Sequence, residues 1–431
     1  VRRIARAAPR RALPANETKG NTMSSMRLQH RSILLVLGAT LGASLSACAV
    51  APTADAGPGG AGGATTSPTG STTATSTSAQ TTTLRGPTTY RSPVDQPFAS
   101  DSVWNLPVGS GAEWESVTDP ATAQLVGTKG SLLAAGYGKR FWVGTASDPT
   151  LVVKDTDQDP AYAVPEQTLH VPFSTLPGDA QIRWPTFFDF TVPGKPYMYS
   201  YYGDTAGATP PGCPLTWTGG AITGMTCQLA AVVNVCGDGI ATVHGASRYD
   251  FAIGTIRHAD LVQKAIRHTL RYAVSLDVAR SLEIDANGTN PSAWEHAVWP
   301  NDNEDYWGPV PGHEGSYRGN VPFGSTIGIP SSVDLVTEGL SEGGMILAKA
   351  LQEHGAIMRD TTGSFTGDPN MLAFYGEPDD DADPLVQQMR ADMGVILPLV
   401  RVMKNQGPTS VNGGGTPIVP PAPPLDPAVC P

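Results

Sequence analysis

FFDFTVPGKPYMYSYYG, residues 187–203, sets two runs of aromatic and apolar residues around a Pro-Gly-Lys-Pro interruption. Short aromatic and β-branched runs bounded by Pro, Gly or Asp read as strands. The pattern recurs on both sides, in FWVG (141–144), TLVVK (150–154), TLHVPF (168–173), LAAVVNV (229–235) and IATVHG (240–245). Strand signals repeated at such intervals point to a sandwich or barrel.

Helix signals follow. In HGASRYDFAIGTIRHADLVQKAIRHTLRYAV (244–274), Leu261, Val262, Ala265, Ile266, Thr269, Leu270 and Ala273 fall on one face at helical spacing, so a helix is expected over 258–274. A second is expected from Glu342 to His354, stopped by Gly355, and a third from Asp383-Pro384 with Pro in the first turn. The expected fold is therefore mainly β, an antiparallel β-sandwich or barrel-like core with a few packed helices.

The N-terminal region has a different character. MRLQHRSILLVLGATLGASLSA (26–47) has a basic start, an apolar run and small residues, the pattern of a secretion signal too short for a stable membrane span. Leu45-Ser46-Ala47-Cys48 resembles the bacterial lipobox, in which the Cys is lipid-modified and becomes the new N-terminus. The expected plan is residues 1–47 as upstream residues plus lipoprotein signal peptide, 48–92 as an Ala/Gly/Ser/Thr/Pro tether, and 93–431 as one β-rich domain. The tether cannot bury a core and reads as disordered, and about forty residues of coil reach roughly 35 Å. The domain is thus expected at the extracellular face of the membrane, held there by lipid on Cys48.

Residues 1–47 hold eight Lys/Arg and one acidic residue, so their removal takes the net charge from −11 to −18. So acidic a chain does not read as a nucleic-acid binder. Cys213, Cys227, Cys236 and Cys430 in an exported protein are expected to form two disulfides, with three possible connectivities. The short loop favours Cys227 with Cys236, leaving Cys430 to reach back to Cys213. No C-x2-C pair supports zinc. KDTDQDPAYAVPE places Asp155, Asp157, Asp159 and Glu166 at calcium-loop positions, but Pro160 stands where that loop needs Gly, so a solvated acidic turn is expected. Neither a metal nor a cofactor is expected, and H-E-x-x-H, the P-loop and a strand-borne G-x-G-x-x-G are all absent.

Two stretches carry candidate chemistry. Arg257 precedes the expected helix, His268 falls on its flank and His244 ends a strand signal, a grouping suited to a carboxylate or acidic sugar. A lone helix histidine is, however, usually structural. WEHAVWPNDNEDYWGP (294–309) interleaves Trp294, Trp299 and Trp307 with Asp302, Glu304 and Asp305. Aromatic faces stack on sugar rings while carboxylates and amides take hydroxyls, although buried loop aromatics give the same pattern.

Several segments in order resemble one group of exported, actinobacterial-type proteins. The group's F-x-x-D-S-P-W-N is similar to Phe98–Asn105, with Val103 for Pro. Its G-x-I-R and I-x-H-A-L elements resemble Gly254–Arg257 and Ile266–Leu270, with Thr269 for Ala. Its late P-x-G and A-L-x-x-Y-G-x-x-x-x-D elements resemble Pro322–Gly324 and Ala350–Asp360, with His354 for Tyr. The resemblance spans most of residues 97–365. It implies a single domain acting on polysaccharide, with Trp104, Asn105, Arg257, His268 and Asp360 retained, and it supplies no reaction mechanism.

The expected function is cleavage of a polysaccharide or oligosaccharide by a lipid-anchored monomer. Hydrolysis needs a carboxylic acid and a carboxylate across the scissile bond, and Asp360 and Asp189 are the candidates. Elimination, less favoured, would use His268 or a tyrosine as base beside a uronate held by Arg257. The alternative is a glycan-binding lipoprotein without catalysis.

Overall fold

The computed structural model describes residues 90–134, 138–155, 166–172, 181–182, 185–192, 194–202, 213–227, 229–240, 250, 252–281, 297–301, 316–362 and 368–430. Cys48, the tether as far as residue 89 and the roles expected of His244, Trp294, Asp302 and Trp307 lie outside the described residues.

The runs in FFDFTVPGKPYMYSYYG form the strands Pro185–Asp189 and Tyr197–Tyr202, antiparallel neighbours in a four-stranded sheet. Its order is Leu229–Asn234, Tyr197–Tyr202, Pro185–Asp189, Arg140–Gly144. Successive side chains point to opposite faces. Phe187, Tyr199 and Tyr201 therefore join Trp142 in one apolar cluster, completed by Leu151, Val153, Leu169, Ile222 and Met225 of a five-stranded sheet. Phe188 and Met198 turn the other way, into a cluster with Val233 and with Ile357 of a six-stranded sheet. Both faces of the four-stranded sheet are thus covered, which is why consecutive residues such as Phe187 and Phe188 are both apolar.

The six-stranded sheet runs Lys129–Leu133, Met371–Tyr375, Leu270–Val274, Ala356–Thr361, Thr326–Gly328, Arg401–Val402. Its other face places Tyr272, Met358 and Phe374 against the helices Glu342–Glu353 and Pro384–Ala391. Leu347, Leu351 and Met389 are fully buried there, which stabilises by about 1.5–3 kcal/mol each. Ser341 and Asp383 cap these helices through Gly344 N and Leu385 N, and the first ends at His354 before Gly355, as the sequence leads one to expect. The fold is mainly β with few helices, and Thr82–Pro431 form one compact unit. Strand pairing is mixed rather than purely antiparallel. Among the described residues five ladders are parallel, including Leu270–Val274 with Ala356–Thr361 and Arg140–Gly144 with Pro185–Asp189.

The helix expected over 258–274 is corrected. It ends at Gln263, where Lys264 turns left-handed at φ 53°, and Leu270–Val274 is the fully buried strand at the middle of the six-stranded sheet. Val262, the centre of the supposed apolar stripe, is 59% exposed. A short apolar run buried on both faces carries no periodicity of its own, so the helical spacing before it continues through it without a break in pattern. Gly254 is required beside this strand: it sits at φ 71°, and a Cβ there would come within 2.5 Å of Arg271 N.

Two disulfides form, with partners other than those the short loop favours. Cys213 pairs with Cys227 and Cys236 with Cys430. The first spans the hairpin of Cys213–Thr218 and Ala221–Cys227, whose two-residue turn, Gly219-Gly220, has both φ angles positive. That Gly-Gly turn brings Cys213 back to Cys227. The second ties the C-terminal tail to the residue after Leu229–Asn234 and Val235, and Asp426 N and Arg91 N bond across the same tail.

Candidate functional site

Trp104, Asn105, Arg257 and His268 do come together, around a small cleft also lined by Asp95 and Phe141. Their side chains are occupied in holding the chain. Trp104 is 2% exposed and donates from Nε1 to Gly239 O at 3.2 Å. Asn105 Nδ2 donates to the carbonyls of Pro97, Phe98 and Ala99. Neither presents a surface to a sugar, so both expected binding roles are corrected to structural ones. Trp299 is partly buried against the same apolar cluster.

Arg257 donates from Nε to Glu377 at 2.9 Å and from Nη1 to Val94 O at 2.9 Å, with its guanidinium 3.4 Å above the Phe141 ring. His268 Nε2 meets the Asp260 carboxylate at 3.1 Å and Nδ1 meets Thr269 O at 3.1 Å. Both partners accept only, so both ring nitrogens carry protons. Burial lowers the His268 pKa, but the Asp260 charge and hydrogen bond and the Thr269 carbonyl outweigh it and raise it above the ordinary value. An imidazolium so placed has no lone pair with which to take a proton, which corrects the expected base. The three departures from the motif pattern meet here: Thr269 Oγ1 donates to Val103 O at 2.8 Å and His354 O at 3.3 Å. The motif segments therefore build a junction of the fold.

Asp189 and Asp360 do not face one another. Asp189 lies on the same side of its strand as Phe187, toward the five-stranded sheet, and accepts from His170 N at 2.7 Å, His170 Nδ1, Thr191 N and Thr191 Oγ1. Burial raises its pKa, yet these four hydrogen bonds outweigh it and leave the carboxyl below its usual range. It is a satisfied carboxylate tying two loops and has no proton to give.

Asp360 stands in different surroundings. A β-bulge between Tyr272 and Ala273 pairs Ala273 with Asp360 and leaves Arg359 as the extra residue. On the face opposite Tyr272, Arg271 stacks over Tyr375 at 4.0 Å. Asp250 joins the two sheets: its Oδ1 accepts from Ser200 Oγ at 2.7 Å and Ala252 N at 2.6 Å, while its carbonyl accepts from Arg359 Nε at 3.1 Å. Lys139, just ahead of Arg140–Gly144, interacts electrostatically with Arg271, Arg359, Asp250 and Asp360.

The described residues of this cluster thus comprise three cations, each at most 2% exposed, and two carboxyls. Asp250 is buried, whereas the Asp360 side chain is 30% exposed and forms the cluster's contact with solvent. Burial pushes both carboxyl pKa values up against the pull of Arg359 and Lys139, with Arg271 also acting on Asp360. Burial, Arg271 and Arg359 together push the Lys139 ammonium well below its usual pKa, and burial brings Arg271 down to about 9. Of these residues only Asp360 was singled out in the sequence as catalytic. The missed signal is charge inside core strands, Arg271 in LRYAV and Arg359 in AIMRDT.

Among the described residues no group of three or more His, Cys, Asp or Glu could hold a metal, and no helix is long and apolar enough to cross a membrane. Glu166 of the acidic turn lies 3.8 Å from Lys154, and the turn itself is outside the described residues. Comparison with family models, curated proteins and solved structures finds no match to this chain.

Proposed function

We propose that the protein is an extracellular polysaccharide-cleaving enzyme, a glycoside hydrolase whose reacting carboxyls are Asp360 and Asp250. The observation that carries this reading is the partly exposed Asp360, raised in pKa by burial and sharing its cations with a second raised carboxyl. Hydrolysis of a glycosidic bond needs one carboxyl protonated, to give its proton to the leaving oxygen, and one ionised, to activate water or attack the sugar. Two carboxyls in unlike surroundings lose their protons over different ranges of pH, which provides one acid and one base between them. Asp360, at the solvent contact, is the proton donor, and Asp250 is the ionised partner.

A second reading, elimination from a uronate, draws support from the buried Lys139, whose lowered pKa favours a neutral amine able to take a proton. Two disulfides accord with an oxidising, extracellular setting. Lipid attachment at Cys48 and tethering to the membrane complete the proposal. Incubation of the full chain with a panel of neutral and acidic polysaccharides tests it. New reducing ends without the ultraviolet absorbance of an unsaturated uronate are expected. That absorbance would transfer the assignment to elimination, and retention of polymer without any cleavage would replace the enzyme by a glycan-binding lipoprotein.

A further inference from the structure

Arg271 is placed oddly for a purely structural residue. Its side chain is 2% exposed, and Nε and Nη2 are buried without a hydrogen-bond partner. A guanidinium carries five donors in a fixed planar fork, and leaving them unmet in a dry interior is costly. Tyr375 covers one face of the plane. Asp250 Oδ1 is taken by Ser200 and Ala252, and Asp360 Oδ1 by Thr361 N. Neither carboxyl hydrogen-bonds Arg271, although both act on it electrostatically. Nε and Nη2 of Arg271 are therefore fixed in place by stacking and strand packing, and still unfilled.

Resting on the reading of this cluster as a carbohydrate site, we propose that Arg271, with the charges of Lys139 and Arg359 beside it, forms a subsite for an oxyanion carried by the sugar, so that the substrate is an acidic polysaccharide. A planar carboxylate matches the guanidinium fork with two parallel hydrogen bonds, and a sulfate ester offers the same pair of acceptor oxygens. An anion seated there supplies the donors with their missing acceptors. Charge on the neighbours is preserved as well, since an anion favours the protonated form of Lys139. The cleft beside Arg257 offers no equivalent, because that guanidinium already has Glu377 and Val94 O as partners.

Calorimetric titration of the full chain with sodium glucuronate, inorganic sulfate and glucose tests the subsite without relying on turnover. Glucuronate or sulfate should bind saturably, glucose should not, and Arg271→Met should weaken the anion at least tenfold. Arg271→Lys keeps the charge and loses the fork, so it should retain sulfate better than glucuronate if a carboxylate is the natural group. Should Arg271→Met fail to fold, the Arg271→Lys comparison still decides. Binding of neither anion, or equal affinity in wild type and variants, overturns the subsite. Cleavage assays separate its failure from that of the parent reading. Equal rates on polygalacturonate and its methyl ester, with no dependence on Arg271, leave an enzyme without this subsite. Arg271-dependent glucuronate binding with no cleavage of any polymer leaves the subsite without the enzyme.

Discussion

Replacing Arg271 by Met separates a residue awaiting a ligand from one that holds the fold. Met keeps an unbranched apolar stem of similar reach and removes the guanidinium. Nε and Nη2 are buried and unpartnered, and each buried donor left unmet costs about 1–3 kcal/mol, which the substitution recovers. Against this stands the stacking on Tyr375, about 0.5–2 kcal/mol. The loss of one cation beside Asp250 and Asp360 also counts, but those carboxyls can answer by taking up a proton. The recovered cost, about 2–6 kcal/mol for the two donors, meets or exceeds the lost stacking, so Arg271→Met should be at least as stable as wild type to within about 1 kcal/mol. Removing one partner from a satisfied buried ion pair instead costs about 3–5 kcal/mol. Urea unfolding of the full chain with its disulfides intact gives the difference directly, provided the m-value is unchanged. A loss of 3 kcal/mol or more would show that Arg271 is a structural partner, and the ligand argument would fall with it.

The His268–Asp260 pair should stabilise most at low pH. Its pKa is raised in the folded state, so the contribution is complete below about 6.5 and is lost as pH rises through the higher folded value. His268→Ala should therefore cost about 1–3 kcal/mol near pH 5 and less near pH 9 while leaving turnover unchanged, and a deficit independent of pH would contradict the charged pair. Peptide mapping of the unreduced protein should recover Cys213 linked to Cys227 and Cys236 linked to Cys430. Breaking the first bridge should cost about 2–4 kcal/mol, and a Cys227–Cys236 peptide would refute the pairing. Cys48→Ser should move the protein from the membrane fraction to the medium, and continued membrane association would reject the lipid anchor.

What could be read in the sequence follows from which forces act locally. The aromatic runs around 187–203 announce strands because a run of Phe and Tyr bounded by Pro and Gly has few other ways to pack. Gly355 and Asp383-Pro384 mark helix ends because caps are local chemistry. LRYAV was misread because a strand buried on both faces has the composition of any core segment, and its neighbours 356–361 and 371–375 are far away in sequence. The site suffered for the same reason. Asp360 was recognised, but Lys139, Asp250, Arg271 and Arg359 meet only when the two sheets close, and Asp189 is turned away by the alternation that puts Phe187 in the opposite cluster. Arg257 and His268 looked like free charges on a helix flank. Their partners Glu377 and Asp260 show them to be fastenings.

The most direct measurement is the rate of reducing-end release by the full chain and by Asp360→Asn, side by side on the polysaccharide the wild type cleaves best. Asn keeps the shape and removes the proton donor, so a fall of about 10²–10⁴ in turnover is expected with stability little changed. Cleavage by Asp360→Asn at the wild-type rate would contradict the assignment of Asp360, and with it the placing of the reaction among Lys139, Asp250, Arg271 and Arg359.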